Sequence, residues 1–145
     1  MFREIRRIPR QKNKLKDIMT DLLYEKECYQ IRGAIYAVYR EIGSGFLEAV
    51  YQECLAREFH SAAIPFVAQK ELRLYYKGEQ IEQTYRADFV CYDNIILELK
   101  AVQDVAPIHK AQVLNYLKMS QLKLGLLINF GHYPKATIDR IVNSH

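Results

Sequence analysis

"RADFVCYDNIILELKA", residues 86–101, reads as two β-strands joined by a tight turn. Apolar and aromatic residues lie on both sides of Tyr92-Asp93-Asn94, whose Asp and Asn favour a turn. Yet the stretch also carries Asp88, Glu98 and Lys100. Charges inside paired strands are unfavourable unless they face water or perform chemistry. The register decides which residues meet. A two-residue turn at Asp93-Asn94 would set Asp88 opposite Leu99, mixing polar with apolar. A three-residue turn over Tyr92, Asp93 and Asn94 sets Phe89 opposite Leu97, Ala87 opposite Leu99 and Asp88 opposite Glu98. One face is then apolar, and the other carries Asp88, Glu98 and Lys100 together. Burial of the apolar face favours this second register, and a bulge would serve equally well.

Two carboxylates side by side repel each other. A divalent cation between them removes that cost, and carboxylate oxygens with positions open to water and phosphate suit Mg²⁺ or Mn²⁺. Such an ion generates hydroxide from water and neutralises a phosphate. Lys100 could orient the attacking water or stabilise developing negative charge. The competing reading is a solvated strand face with a Glu98–Lys100 ion pair.

Working outward, "QIRGAIYAVYREIG" has Ile31, Ile35, Val38 and Ile42 at helical spacing, and "GSG" at 43–45 ends that helix. A second helix follows through Leu47, Val50, Tyr51, Cys54, Leu55 and Phe59, with Ser44 or Gly45 as its expected cap. Pro65 closes the helical region. Strand character covers Val67 to Tyr76, turns at Lys77-Gly78-Glu79, and resumes from Ile81 to Cys91. After "IILELKAV", a helix opens at Pro107, and "KLGLLINFG" reads as a strand buried on both faces. A short helical turn is expected around Ala136 to Val142. The order is helix, three antiparallel strands, helix, strand, and because the last strand is reached through a helix the sheet should be mixed. The fold class is therefore α/β, a mixed sheet flanked by helices.

The 145 residues, half of them hydrophobic, suit one domain with a real core. No apolar run approaches the ~18 residues of a membrane span, and the basic start has no apolar stretch behind it to make a secretory signal. Cys28, Cys54 and Cys91 show no metal spacing and read as reduced thiols of a cytoplasmic protein. Residues 1–16 hold seven Lys/Arg against Glu4, a net of +6, whereas the remaining residues net −2. We therefore divide the chain into a basic arm, 1–20, and a single domain, 21–145. Basic arms commonly touch phosphates, and a solvated terminus is the plainer reading.

Asp88 followed by Glu98-Leu99-Lys100 on the next strand resembles the pattern of the PD-(D/E)XK nuclease superfamily. Gln112 and Tyr116 in "AQVLNYL" look like the QxxxY element of its RecB-like members, and Gly45 to Tyr51, "GFLEAVY", like the signature of its GxxExxY family. "LGLLINFG" is also similar to that family. The resemblance runs from about Ile31 to Gly131. It implies a restriction-endonuclease-like core with Asp88 and Glu98 as metal ligands, the Leu99 carbonyl as a third, Glu48 as a further carboxylate, and Lys100 as the catalytic lysine. Gln112 and Tyr116, one helical turn apart, would line the site. Ala87 stands where the motif has proline, and Tyr39 stands in "VYREIG" where many relatives have histidine. Each carried residue also has a plainer role: Glu48 as a helix-start carboxylate, Gln112 as a backbone partner, Tyr116 as a core aromatic. Tyr51 reads as packing, and His109, three residues before Gln112, stays outside the core set.

The function expected is metal-dependent hydrolysis of phosphodiester bonds, in DNA ahead of RNA. Arg86, Lys110, Lys118 and Lys123 would be available for phosphate, and Tyr75, Tyr76 and Tyr116 for stacking. The alternative is a catalytically silent nuclease-fold module working with a protein partner or as a homo-oligomer, for which the eleven tyrosines and the acidic domain speak. Phosphoester chemistry on a non-polymeric substrate would use the same site.

Overall fold

The computed structural model describes residues 23–144. The basic arm expected at 1–20 lies outside them. α1 spans Glu25–Ile42 and buries Cys28, Ile31, Ala34, Ile35 and Val38, the face that the helical spacing marks. It stops at Gly43, whose φ of 69° a side chain would resist and whose N–H bonds the Tyr39 carbonyl. α2 spans Glu48–Ser61. Its N-cap is Leu47, with no side-chain cap, so neither Ser44 nor Gly45 does the capping expected of it. The Tyr51 hydroxyl closes the loop instead, donating to the Gly43 carbonyl at 2.6 Å and accepting the Phe46 N–H at 3.4 Å.

Five strands follow, with one helix among them: β1 Phe66–Tyr76, β2 Glu79–Cys91, β3 Ile95–Lys100, α3 Pro107–Ser120, β4 Leu124–Asn129 and β5 Thr137–Val142. They form one sheet in the order β1-β2-β3-β4-β5. β3 and β4 are parallel and the other neighbours antiparallel, the mixed sheet that the strand–helix–strand passage requires. The expected helical turn at 136–142 is instead β5. Thr137, Ile138, Ile141 and Val142 are β-branched, and as a strand they pair the outer edge of β4, whose side chains are all buried.

The hairpin has the three-residue turn, pairing Phe89 with Leu97, Val90 with Ile96 and Cys91 with Ile95. Tyr92 and Asp93 both take positive φ there. α1 and α2 cover one face of the sheet over Phe89, Ile95, Leu97, Leu99, Leu126 and Ile128. α3 covers the other through Val113 and Leu117, over Ala87, Val90, Ile96 and Leu127. A Cβ on Gly125 would lie 2.7 Å from Val113 Cγ1, so glycine lets α3 seat against β4.

The alternation of β2 does not run through Asp88. Phe89 and Cys91 pack with α1 and α2, whereas Tyr85 and Ala87 pack with α3. Residues two apart in a regular strand share a face, so the strand turns over between Ala87 and Phe89. β1 does the same, with Phe66 on the first face and Leu72 on the second. The β1–β2 pairs Ala68↔Phe89 and Lys70↔Ala87 flank the turnover, and Gln69 and Asp88 drop out of the ladder between them. Ala87 therefore does not share the apolar face of Phe89, Leu97 and Leu99 as the unbroken alternation suggests. Of the three cysteines, Cys28 and Cys91 are buried and Cys54 is half-buried. Among the described residues no helix is long and apolar enough to cross a membrane.

Candidate active site

The β2–β3 ladder ends at Phe89 and Leu97, and side chains take over beyond it. Asp88 Oδ2 accepts the Leu99 N–H at 2.8 Å, and the Asp88 N–H donates to Glu98 Oε1 at 3.2 Å. Each strand thus offers a carboxylate to the other's backbone, and the two acids meet where the strands part. Gln52 of α2 donates to the Asp88 carbonyl at 3.0 Å, and Gln69 of β1 to Asp88 Oδ1 at 3.4 Å.

Two recesses flank this junction. One, of about 350 Å³, is lined by Glu48, Gln52, Gln69, Asp88 and Leu99 on the α2 side. The other, of about 200 Å³, is lined by Tyr85, Glu98, Lys100, His109, Gln112 and Tyr116 on the α3 side. The expectation that Asp88, Glu98 and Lys100 share one face therefore holds for Glu98 and Lys100 alone. The turnover of β2 sends Asp88 towards Glu48. Gln112 and Tyr116 do line a recess with Glu98 and Lys100, as one turn of α3 allows. Glu48 is exposed in the first turn of α2, where helix N–H groups favour a carboxylate. Among the described residues no three His, Cys, Asp or Glu side chains converge as a ready-made ligand set. The carboxylates that could hold a cation together are Asp88 and Glu98.

Burial pushes the Glu98 carboxyl up to about 7, and the charge of Asp88 adds to the rise. A Tyr85 hydrogen bond, the Asp88 N–H and the charge of Lys100 pull it back only in part. Burial and the neighbouring Glu98 hold the Tyr85 hydroxyl well above the ordinary tyrosine range. Tyr85 lies flat on Tyr116, ring centres 3.8 Å apart and planes 9° apart. Tyr116 is thus committed to an intramolecular stack rather than free to stack on a base.

The loops after β3 and β4 brace Lys100. The Asn129 Oδ1 accepts the N–H groups of Val102 and Gly131 at 3.1 and 3.0 Å, and the Phe130 N–H donates to the Lys100 carbonyl. A Cβ on Gly131 would lie 2.3 Å from the Val102 carbonyl oxygen. Tyr39 donates to the His132 carbonyl at 2.8 Å, tying α1 to the same loop. Tyr51 stacks on Phe130 at 4.4 Å, fully buried, which makes it a packing residue.

Three site-lining residues escape a reading of the sequence. Tyr85 reaches Glu98 only because β2 turns over. Gln52 and Gln69 carry no local signal. His109 had one, its one-turn spacing from Gln112; its Nδ1 accepts the Ala106 N–H at 3.2 Å, which fixes the ring at the edge of the recess. The basic residues are less well placed than expected. Lys118 and Lys123 lie by the start of β4, and β4 runs parallel to β3, so they sit at the opposite end of the sheet from Lys100. Lys110 pairs with Asp139 at 3.5 Å.

Comparison with solved structures finds the crystal structure of SSO0001 at 18% identity and a TM-score of 0.49, covering 84% of this chain. This chain spans 61% of that protein's length. No curated protein matches the chain. The family model of the PD-(D/E)XK nuclease superfamily matches residues 25–141, which include both recesses and the five strands up to Ile141, one residue short of the end of β5. On that match, the chain belongs to the PD-(D/E)XK nuclease superfamily.

Proposed function

We propose that this protein is a metal-dependent nuclease of the GxxExxY kind, hydrolysing phosphodiester bonds in nucleic acid, DNA ahead of RNA, with Asp88, Glu98 and Lys100 as its core. The observation that carries this is the junction at the end of the β2–β3 ladder. Each of the two carboxylates accepts a backbone N–H from the other strand there, Asp88 from Leu99 and Glu98 from Asp88, and Glu98 is pushed up to about 7 largely by burial. Holding two acids this close without a cation costs stability, and a packing or binding role gains nothing from it.

Divalent metal ions are typical of the superfamily, and the donor set fits one. Asp88 and Glu98, with the Leu99 carbonyl, are hard oxygen donors that leave room for water, which suits Mg²⁺ or Mn²⁺. Glu48 shares the recess of Asp88 and Leu99 and would add a carboxylate through water. A bound ion would acidify water and neutralise phosphate charge at the junction. The chain's own groups would do the remainder. Lys100 stands beside Glu98 to orient the nucleophile and meet developing negative charge. Gln112 offers amide donors to a phosphate oxygen from the same recess.

The test is cleavage of DNA and RNA in Mg²⁺ and Mn²⁺ by wild type, Asp88→Asn, Glu98→Gln and Lys100→Ala, each checked for an intact fold. Loss of cleavage in all three variants is expected. Full activity in all three would refute the assignment. Calorimetric titration of Mn²⁺ into wild type and Glu98→Gln should show saturable binding that the substitution removes.

A further inference from the structure

Gln69 is the one residue of the described strands, outside their turns, that takes a left-handed backbone conformation, with φ of 53°. The other non-glycine residues with positive φ lie at helix ends or hairpin turns: Tyr24, Ala63, Lys77, Tyr92, Asp93 and Gln121. A glutamine in this conformation within a strand is strained, and strain of this kind persists only where surrounding structure enforces it.

Three further observations fall on the same spot. The β1–β2 ladder skips Gln69 and Asp88 between two intact pairs. Both strands exchange their faces there, with Phe66 and Phe89 on the α1–α2 side and Leu72 and Ala87 on the α3 side. The Gln69 amide donates to Asp88 Oδ1, whose other oxygen holds the Leu99 N–H. Gln52 meanwhile donates to the Asp88 carbonyl from α2.

We infer that Gln69 is a positioning residue: its left-handed backbone turns β2 over against β1, and its amide fixes the carboxylate of Asp88 between β1 and β3. This rests on the proposed function for its purpose, since Asp88 matters to hydrolysis only in that reading. The geometry itself does not depend on it. Without the kink Asp88 would stay in the β1–β2 ladder, its side chain set by the pleat and not by Gln69 and Leu99.

Two variants of the full-length protein test this without metal or substrate. Gln69→Gly keeps positive φ without strain and removes the amide. Gln69→Asn tolerates the same backbone but its amide is one methylene too short to reach Asp88. The readout is amide hydrogen exchange at Leu99, with Leu97 as a control inside the intact ladder. Exchange at Leu99 should accelerate about tenfold in both variants, with Leu97 unaffected and the melting temperature unchanged or higher. A merely structural role would move both amides and the melting temperature together. That outcome, or unchanged exchange at Leu99, overturns the inference. In the active enzyme, kcat should fall about tenfold with KM held, and an unaltered kcat would overturn it too. A wild type that cleaves nothing would refute the proposed function, and the exchange comparison would still decide the role of Gln69.

Discussion

Replacing Glu98 with glutamine should make this protein more stable while disabling the proposed chemistry. The carboxyl rises from its ordinary 4.5 to about 7 on folding, chiefly through burial and then through Asp88. A group whose pKa is raised on folding holds its proton more tightly in the native state. The native state then loses stability relative to the unfolded chain as pH climbs from 4.5 to 7, and the loss is complete above that. At ~1.36 kcal/mol per pH unit, and allowing for partial contact with water, the cost at pH 8 is about 2 to 3 kcal/mol. Glutamine is isosteric and neutral. Its Oε1 can still accept the Asp88 N–H, and its amide can donate to the Tyr85 oxygen. Urea unfolding of metal-free wild type and Glu98→Gln at pH 4, 6 and 8 measures the difference. The variant should match wild type at pH 4 and exceed it by about 2 to 3 kcal/mol at pH 8, a rise of roughly 5 to 10 °C in melting temperature. Millimolar Mn²⁺ should narrow the gap at pH 8 by stabilising wild type alone. A gap that is absent, or that does not change with pH, would refute the view that Glu98 is held against its own charge.

Gly131→Ala should cost roughly 2 kcal/mol or more, because its Cβ would meet the Val102 backbone rather than a yielding side chain; a urea melt reads this directly. Asn129→Leu should cost about 2 to 4 kcal/mol by leaving the Val102 and Gly131 N–H groups without their shared acceptor, and hydrogen exchange at those two amides should rise with it. Tyr85→Phe keeps the stack on Tyr116 and removes only the hydroxyl that meets Glu98. Its melting temperature should stay within a few degrees of wild type while kcat falls about tenfold with KM held.

Much of the fold was legible in the residues because local patterns carry it. Ile31, Ile35 and Val38 mark the inner face of α1 by spacing alone. The all-buried run from Leu124 to Asn129 announces a strand covered on both sides, and "YDN" between two apolar runs announces the hairpin with its register. Asp88, Glu98, Lys100, Gln112 and Tyr116 could be nominated because they are chemically out of place or motif-spaced on elements already recognised. Where local preference and tertiary pairing compete, the sequence misleads. Thr137 to Val142 became a strand because β4 offered an edge to pair. The face on which Asp88 lies was not legible either. Alternation assumes an unbroken pleat, and the break comes from a left-handed glutamine on the neighbouring strand that no local rule predicts. Pattern and residue chemistry thus determined which groups could act and on which elements. The packing of β1 against β2 decided where they meet, because a kink shared by two strands is a property of their pairing and not of either strand alone.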